Sequence, residues 1–102
     1  MRPIWLVGLF SAAVAADTPS PQRQQVLMNV LKHDCGSCHG LPPKGGLGPS
    51  LLPDALAAKS DKVLVDVIRN GRPGTAMPPW QQFFTLDETA WLVGQLREEG
   101  WK

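Results

Sequence analysis

The sequence predicts an all-α domain, on three observations. Apolar residues recur at intervals of three and four in three segments of the 102-residue chain, which is the spacing of a helix with one buried face. No segment shows the alternation of apolar and polar residues that is typical of a half-buried strand. Two loops rich in glycine and proline, 40–53 and 72–80, separate the helical segments. These features predict three main helices and one short helix.

The first helix is predicted from Pro21 to Asp34, because Ser20 is a favourable N-cap and proline suits the first helical position. Asp54–Lys59 is predicted as the short helix, and Ser60 as the start of the next one, which ends at Gly71. Thr85 and Glu88 have the spacing of a capping box that opens the last helix. The expected buried residues of the three main helices are Val26, Leu27, Val30 and Leu31; Val63, Leu64, Val67 and Ile68; and Ala90, Leu92, Val93 and Leu96.

Cys35-Gly36-Ser37-Cys38-His39 is a C-x-x-C-H run that contains both cysteines of the chain. This spacing is typical of covalent attachment of a c-type haem. Two thiols on one helical turn can reach the two vinyl groups of a porphyrin, and the following histidine can supply a nitrogen to the iron. The run therefore predicts one covalently bound haem c, with Cys35 and Cys38 as thioethers and His39 as an axial ligand.

Two other interpretations of the pair remain open at this point. A redox dithiol or disulfide normally stands in a βαβ context, which this sequence lacks. A structural zinc site needs about four ligands. The sequence offers only the two cysteines, His39 and His33, and no second C-x-x-C. We interpret His33 as a solvated surface residue.

The first sixteen residues have the pattern of a signal peptide. Arg2 precedes an apolar run over 4–10, and Val14-Ala15-Ala16 fits the small-x-small rule for cleavage. An uncleaved membrane anchor is the alternative, although the run is short for a hydrocarbon core of ~30 Å. We therefore predict a leader over 1–16, a mature domain over 17–102 and a location in the periplasm.

Charge excludes some classes of partner. The chain has ten basic and nine acidic residues, and removal of Arg2 with the leader makes them equal in number. A near-neutral domain gives no signal for nucleic acid or for an anionic membrane surface. We expect a monomer whose partners are other redox proteins.

Met77 is the best candidate for a second axial ligand. It lies in the second loop, directly before Pro78-Pro79, whose rigidity would hold the thioether in place. The alternative is that Met77 only packs against apolar neighbours. Met28 stands on the first helix and is interpreted as core filling. A histidine–methionine pair favours ferrous iron and closes the iron to small substrates, which predicts a one-electron carrier and not an enzyme.

The C-x-x-C-H run, Gly48-Pro49-Ser50-Leu51 and the segment from Asn70 to Trp80 together resemble the class I c-type cytochromes. The resemblance implies a class I cytochrome c fold. It also implies that the carbonyl of Pro49 accepts a hydrogen bond from His39, which would fix the ring. We expect Trp80 in the haem pocket. In this family the first and last helices often cross at a glycine and an aromatic pair. The corresponding positions of this sequence carry Leu27, Leu31 and Gln95. We expect Gly94 to allow the close approach of the two helices instead.

More narrowly, Asp34 to Gly40 with Lys44 to Pro49 is similar to the small cytochrome c-55X type, which is associated with the cytochrome cd1 nitrite reductase of denitrifying bacteria. The resemblance implies electron donation to that reductase. The alternative is an accessory role in maturation of its d-type haem. A five-coordinate enzyme or gas sensor is a third hypothesis, and it requires Met77 to be off the iron. Basic residues are expected to surround the docking surface at Lys44, Lys59 or Arg72.

Overall fold

The computed structural model of the protein describes residues 18–102, so the predicted leader over 1–16 lies outside the described residues. The helices are α1 (Pro21–Val30), a π-helical turn (Leu31–Cys35), α2 (Gly36–His39), α3 (Pro53–Leu56), α4 (Asp61–Asn70) and α5 (Leu86–Glu98). Residues 18–102 contain no strand. None of their helices has the length and apolarity needed to cross a membrane. The predicted all-α class is confirmed.

The first helix begins as predicted and ends later. The hydroxyl of Ser20 accepts the N–H of Arg23 at 3.2 Å, and proline follows at the first helical position. The predicted end at Asp34 is wrong, because helical backbone continues through the π-helical turn and α2 to His39. No proline or positive-φ residue interrupts this stretch before Gly40, whose φ is 88°. Both cysteines therefore lie on continuous helical backbone.

The boundaries of α4 and α5 follow their caps. Ser60 accepts the N–H of Val63 at 3.2 Å, and Gly71 ends α4 with φ of 71°. The capping box of α5 is complete, since Thr85 Oγ1 accepts the N–H of Glu88 at 3.1 Å and Glu88 Oε1 accepts that of Thr85 at 2.9 Å. The short helix α3 is displaced from the predicted Asp54–Lys59 to Pro53–Leu56.

The buried face of α4 agrees with the prediction at Leu64 and Ile68, which pack against the core, and differs from it at Val63. Val63 is 48% exposed, whereas Val65 is buried. Two residues span about 200° around a helix, so these side chains lie on opposite faces. The helix packs against α5, and Val65 is its buried residue. Val26 and Ala90 are likewise exposed, and not buried as expected.

The core forms where the first helical stretch, α3 and α5 meet. Its buried residues are Leu27, Leu31, Leu56, Phe84, Leu92, Leu96 and Trp101. Thr89 is the buried polar residue within 18–102, and its hydroxyl donates to the carbonyl of Thr85 at 2.9 Å, which satisfies it. Leu64, Ile68 and Trp80 are partly buried and pack against this core, so the second loop is attached to it.

The crossing of α1 and α5 does not use Gly94 as a close approach. A Cβ built on Gly94 meets no atom within 4 Å, so that expectation is wrong. The two helices are instead joined by an ion pair. Arg23 donates from Nε to Glu88 Oε2 at 2.8 Å and from an Nη to Glu88 Oε1 at 3.2 Å. The fully buried Leu27 supplies the apolar contact of the α1 side.

Candidate functional site

The two thiols and the imidazole lie on one helical stretch. Cys35 ends the π-helical turn, while Cys38 and His39 belong to α2. All three side chains are partly buried, and neither cysteine forms a disulfide. Within residues 18–102 no three His, Cys, Asp or Glu side chains converge as a metal-binding group, which argues against a zinc site. His33 is exposed on the π-helical turn.

The ring of His39 is oriented by a backbone carbonyl. Its Nδ1 lies 2.7 Å from the carbonyl oxygen of Pro49. A carbonyl only accepts, so Nδ1 carries a proton, and in the neutral imidazole Nε2 is then the nitrogen with the lone pair. The sequence prediction for Pro49 thus corresponds to a contact that the structure contains. The consequence is an imidazole whose Nε2 is suited to bind a metal.

Glycines allow the first loop to lie directly against this helical stretch. Gly48 donates its N–H to the carbonyl of Cys38 at 2.8 Å, and Gly45 donates to that of His39 at 2.9 Å. A Cβ on Gly48 would lie 2.6 Å from Cε1 of the His39 ring, and one on Gly46 would lie 2.9 Å from the oxygen of Cys38. Side chains at these positions would displace the ring or the loop.

Cys35 lies in an environment that keeps its thiol protonated. Burial raises the pKa of the Cys35 thiol to about 11, and the nearby carboxylate of Asp34 adds to the increase. The thiolate is the nucleophile in disulfide formation, so a raised pKa slows oxidation at neutral pH. Ser37 donates its hydroxyl to the carbonyl of Asp34 at 2.8 Å, which holds the turn between the two cysteines.

Met77 lies in the second loop and is partly buried. The N–H of Arg72 donates to the carbonyl of Met77 at 3.2 Å, which closes the loop across its base. Trp80 stacks on Phe84, with ring centroids 5.7 Å apart and planes at 10°, and meets Phe83 at a tilt. Trp80 is therefore seated against the core by aromatic contacts. Met28, by contrast, packs against the core from α1.

These residues fit a covalently attached haem. Two free thiols stand on one helical stretch beside an imidazole with a free Nε2, and a methionine stands in an ordered loop. Gly48 lies so close to the His39 ring that a residue with a side chain would not fit in its place. Soft sulfur and imidazole donors in this combination suit haem iron.

Sequence reasoning did not identify three contacts. The hydroxyl of Thr75 bonds locally to Arg72 and Met77 within the second loop. The approach of Gly71 to Met77 and the contacts of Arg97, which join α5 to the region between α3 and α4, depend on tertiary geometry. Arg97 donates to Asp61 at 2.7 Å and to the carbonyls of Leu56 at 3.2 Å and Lys59 at 2.7 Å. The glycine-rich composition of the two loops was the only signal in the sequence for such close contacts.

Comparison with known proteins identifies the family. Residues 22–94 match the family described as cytochrome c oxidase, cbb3-type, subunit III. Cytochrome c55X of Stutzerimonas stutzeri is 48% identical over 90 residues, which are 88% of this chain and 79% of that protein. Cytochrome c55X of Pseudomonas aeruginosa is 47% identical over 85 residues, 83% of this chain and 71% of that protein.

Solved structures agree. The chain superimposes on a c-type cytochrome named NirC with a TM-score of 0.77 and 48% identity, covering 79% of this chain and 95% of that one. It also resembles a part of dihydro-heme d1 dehydrogenase NirN, with a TM-score of 0.63 and 32% identity, covering 68% of this chain and 15% of that one. The chain therefore belongs to the small c-type cytochromes of cytochrome c55X type, electron-transfer proteins of the nitrite reductase system that carry covalently bound haem c.

Proposed function

We propose that this protein is a periplasmic one-electron carrier that donates to a cytochrome cd1 nitrite reductase. The observation that carries the proposal is the imidazole of His39, held at Nδ1 by Pro49 beside two free thiols. When bound, the haem iron supplies a ferric–ferrous couple. The residues of this chain hold it, shield it from water and limit reorganisation when its charge changes.

In this proposal Cys35 and Cys38 would hold the haem through thioether bonds, and Nε2 of His39 and the sulfur of Met77 would bind its iron. The bond from Nδ1 to Pro49 fixes the ring plane and increases the basicity of the imidazole. A thioether ligand raises the reduction potential relative to a second histidine. Trp80 forms part of the apolar wall on the Met77 side, where it is seated by Phe84.

Two protein ligands would leave no position for a substrate, so we propose that the protein is not an enzyme. The alternative of a five-coordinate enzyme or gas sensor requires a free distal position. Carbon monoxide added to the reduced protein distinguishes the two, because a carrier with Met77 in place binds it slowly. Rapid and tight binding at neutral pH would contradict the proposal.

The charge distribution supports transient docking at the two loops. Residues 35–53 and 70–86 contain no aspartate or glutamate, and their only lysine and arginine are Lys44 and Arg72, both exposed. Leu47, which is 79% exposed, and the exposed Leu41 add apolar contact area next to the C-x-x-C-H run. A partner with a small, partly acidic surface fits this face, and weak redox complexes have small interfaces. Lys59 is also exposed, and its carbonyl accepts a hydrogen bond from Arg97 before the start of α4.

The proposal of a nitrite reductase as partner is supported by the names of the related proteins, which are cytochrome c55X, NirC and dihydro-heme d1 dehydrogenase. The test is to mix the reduced protein rapidly with purified cytochrome cd1 nitrite reductase and to follow oxidation of the carrier. We expect second-order oxidation that slows as ionic strength increases, because opposite charges steer the encounter. The absence of electron transfer would exclude the reductase as a direct partner.

A second function is maturation of the d-type haem of that reductase. It is favoured by the similarity to a part of a protein named dihydro-heme d1 dehydrogenase. Deletion of the gene separates the two roles. Normal d-type haem with slowed nitrite reduction supports the carrier, whereas immature haem supports the maturation role.

The location and the processing are also proposals. We propose that residues 1–16 are removed on export and that residues 17–102 form one monomeric domain. The mass of the protein recovered from the periplasm tests the cleavage site after Ala16. An intact Met1 on protein recovered from the membrane fraction would favour the anchor instead.

A further inference from the structure

The loop that carries Met77 is attached to the end of α4 at both of its ends. Gly71 donates its N–H to the carbonyl of Val67 at 2.8 Å. After the loop, Trp80 donates to the carbonyl of Ile68 at 3.0 Å and Gln81 donates to that of Arg69 at 3.2 Å. The last carbonyls of a helix have no partner within the helix, so they are available to bind the loop. The base of the loop is therefore fixed, and the conformation of its tip depends on contacts within it.

Within 71–79, Thr75 is the residue whose side chain forms those contacts. Its hydroxyl donates to the carbonyl of Arg72 at 2.6 Å and accepts the N–H of Met77 at 3.3 Å. Its own N–H donates to the same Arg72 carbonyl at 3.0 Å. Thr75 is exposed, so burial of its methyl group does not explain these contacts. Polar groups of an exposed threonine would otherwise bond to water at little cost.

These bonds act on the backbone of Met77 from both sides. Thr75 holds its N–H, and Arg72 holds its carbonyl through a backbone N–H at 3.2 Å. A residue bonded at both its N–H and its carbonyl has restricted φ and ψ, and so a restricted direction for its side chain.

We propose that Thr75 is the positioning residue for Met77, and that its hydroxyl holds the methionine loop in the conformation that keeps the sulfur directed at the haem. The proposal rests on the proposed role of Met77 as an axial ligand. Without the hydroxyl, the loop would open more often and the methionine would leave the iron more readily. An external ligand that competes with Met77 would then bind with higher apparent affinity, in proportion to the fraction of open loop.

The test uses the holoprotein and imidazole as the competing ligand for ferric iron. Thr75→Val removes the hydroxyl and keeps the shape, and Thr75→Ser keeps the hydroxyl and removes the methyl group. We expect the apparent affinity for imidazole to rise about tenfold in Thr75→Val, which corresponds to about 1.4 kcal/mol. Thr75→Ser should bind imidazole as the unaltered protein does. A loss of global stability alone would not produce this pattern, because the population unfolded at 25 °C stays very small.

Met77→Ala separates failure of this inference from failure of the proposed function. Suppose that Met77→Ala binds imidazole much more tightly than the unaltered protein, while Thr75→Val binds it with unaltered affinity. The positioning role of Thr75 is then overturned, and Met77 remains the ligand. If Met77→Ala also matches the unaltered protein, Met77 is not the ligand and both proposals fail. Should Thr75→Val yield no holoprotein, Thr75→Ala is measured against Thr75→Ser with the same expected difference.

Discussion

Nδ1 of His39 and the carbonyl oxygen of Pro49 lie 2.7 Å apart, although the residues belong to different structural elements, the helical stretch and the first loop. The loop is brought to this position by two further bonds, from Gly48 to Cys38 and from Gly45 to His39. The orientation of the imidazole therefore depends on how closely the loop backbone can approach the helix.

Gly48→Ala should disturb the His39 ring, since the new Cβ would lie 2.6 Å from its Cε1. Overpacking of this kind costs about 1–3 kcal/mol. We expect a lower yield of holoprotein and a changed reduction potential, measured by redox titration. The matched control is Gly94→Ala, where a Cβ meets nothing within 4 Å. In the middle of a helix that change should be neutral or stabilise by about 0.5–1 kcal/mol. If the two variants gave the same yield of holoprotein and the same reduction potential, the close contact of Gly48 with the His39 ring would be refuted as the cause.

Gly71→Ala should weaken the attachment of Met77, and Gly74, which also has a positive φ, provides a control. The φ angles are 71° and 81°, but a Cβ on Gly71 would lie 2.7 Å from the carbonyl oxygen of Met77, whereas one on Gly74 meets nothing within 4 Å. Both variants carry the cost of an alanine at positive φ, about 1–3 kcal/mol. Only Gly71→Ala should raise the affinity of the ferric protein for imidazole, and an equal rise in both would show that strain, and not contact, is responsible.

The ion pair of Arg23 and Glu88 should make stability depend on pH at the acidic end. The hydrogen bond from Arg23, with a further bond from the backbone of Thr85, lowers the pKa of Glu88 from its ordinary value of 4.5. A lowered carboxyl pKa in the folded state contributes stability above that ordinary value. This contribution is lost as the pH falls through the folded-state value. Glu88→Gln should therefore lower the free energy of unfolding by about 1 kcal/mol at pH 7.

The same comparison has a clear signature in thermal unfolding. The unfolding curves of Glu88→Gln and the unaltered protein should converge once the pH falls below the lowered folded-state pKa of Glu88, where this residue is protonated in both states. The control is Asp66→Asn, which breaks an exposed pair with Lys62 on α4. That change should leave Tm unaltered, because exposed pairs contribute little. A gap between Glu88→Gln and the unaltered protein that does not narrow as the pH is lowered from 7 through the acidic range would exclude the ion pair as its cause.

Met77→Ala should lower the reduction potential of the holoprotein, because the thioether favours ferrous iron. It should also remove the charge-transfer absorption of sulfur-bound ferric haem at the red end of the visible spectrum. Met28→Leu is the control, since Met28 packs against the core and leucine preserves most of its volume. An unchanged potential and spectrum in Met77→Ala would exclude Met77 as the ligand.

Local signals predicted most of the fold. The capping box of Thr85 and Glu88, the cap at Ser60 and the helix end at Gly71 each depend on residues within one turn, so the sequence states them directly. Errors arose where distant packing decides. Val63 and Val65 are equally apolar, and the burial of Val65 alone depends on how α4 packs in the fold.

The features of the site also differ in whether they depend on neighbouring or on distant residues. The order Cys35, Cys38 and His39 is local, and the chemistry follows from it. The hydrogen bond to Pro49 was implied by family resemblance, because a loop ten residues away has to fold back to make it. The bonds of the Thr75 hydroxyl are local, but the sequence alone does not show whether a loop threonine bonds to the neighbouring backbone or to water. The pairing of Arg23 with Glu88 joins positions 65 residues apart and has no local signature.

The proposed function requires above all that a haem is covalently joined to Cys35 and Cys38. A pyridine haemochrome spectrum, taken on protein from a host able to mature c-type cytochromes, tests this directly. We predict one haem per chain, with the spectrum of a porphyrin whose two vinyl groups are both saturated as thioethers. A colourless protein in which both thiols react with a thiol reagent would contradict the account.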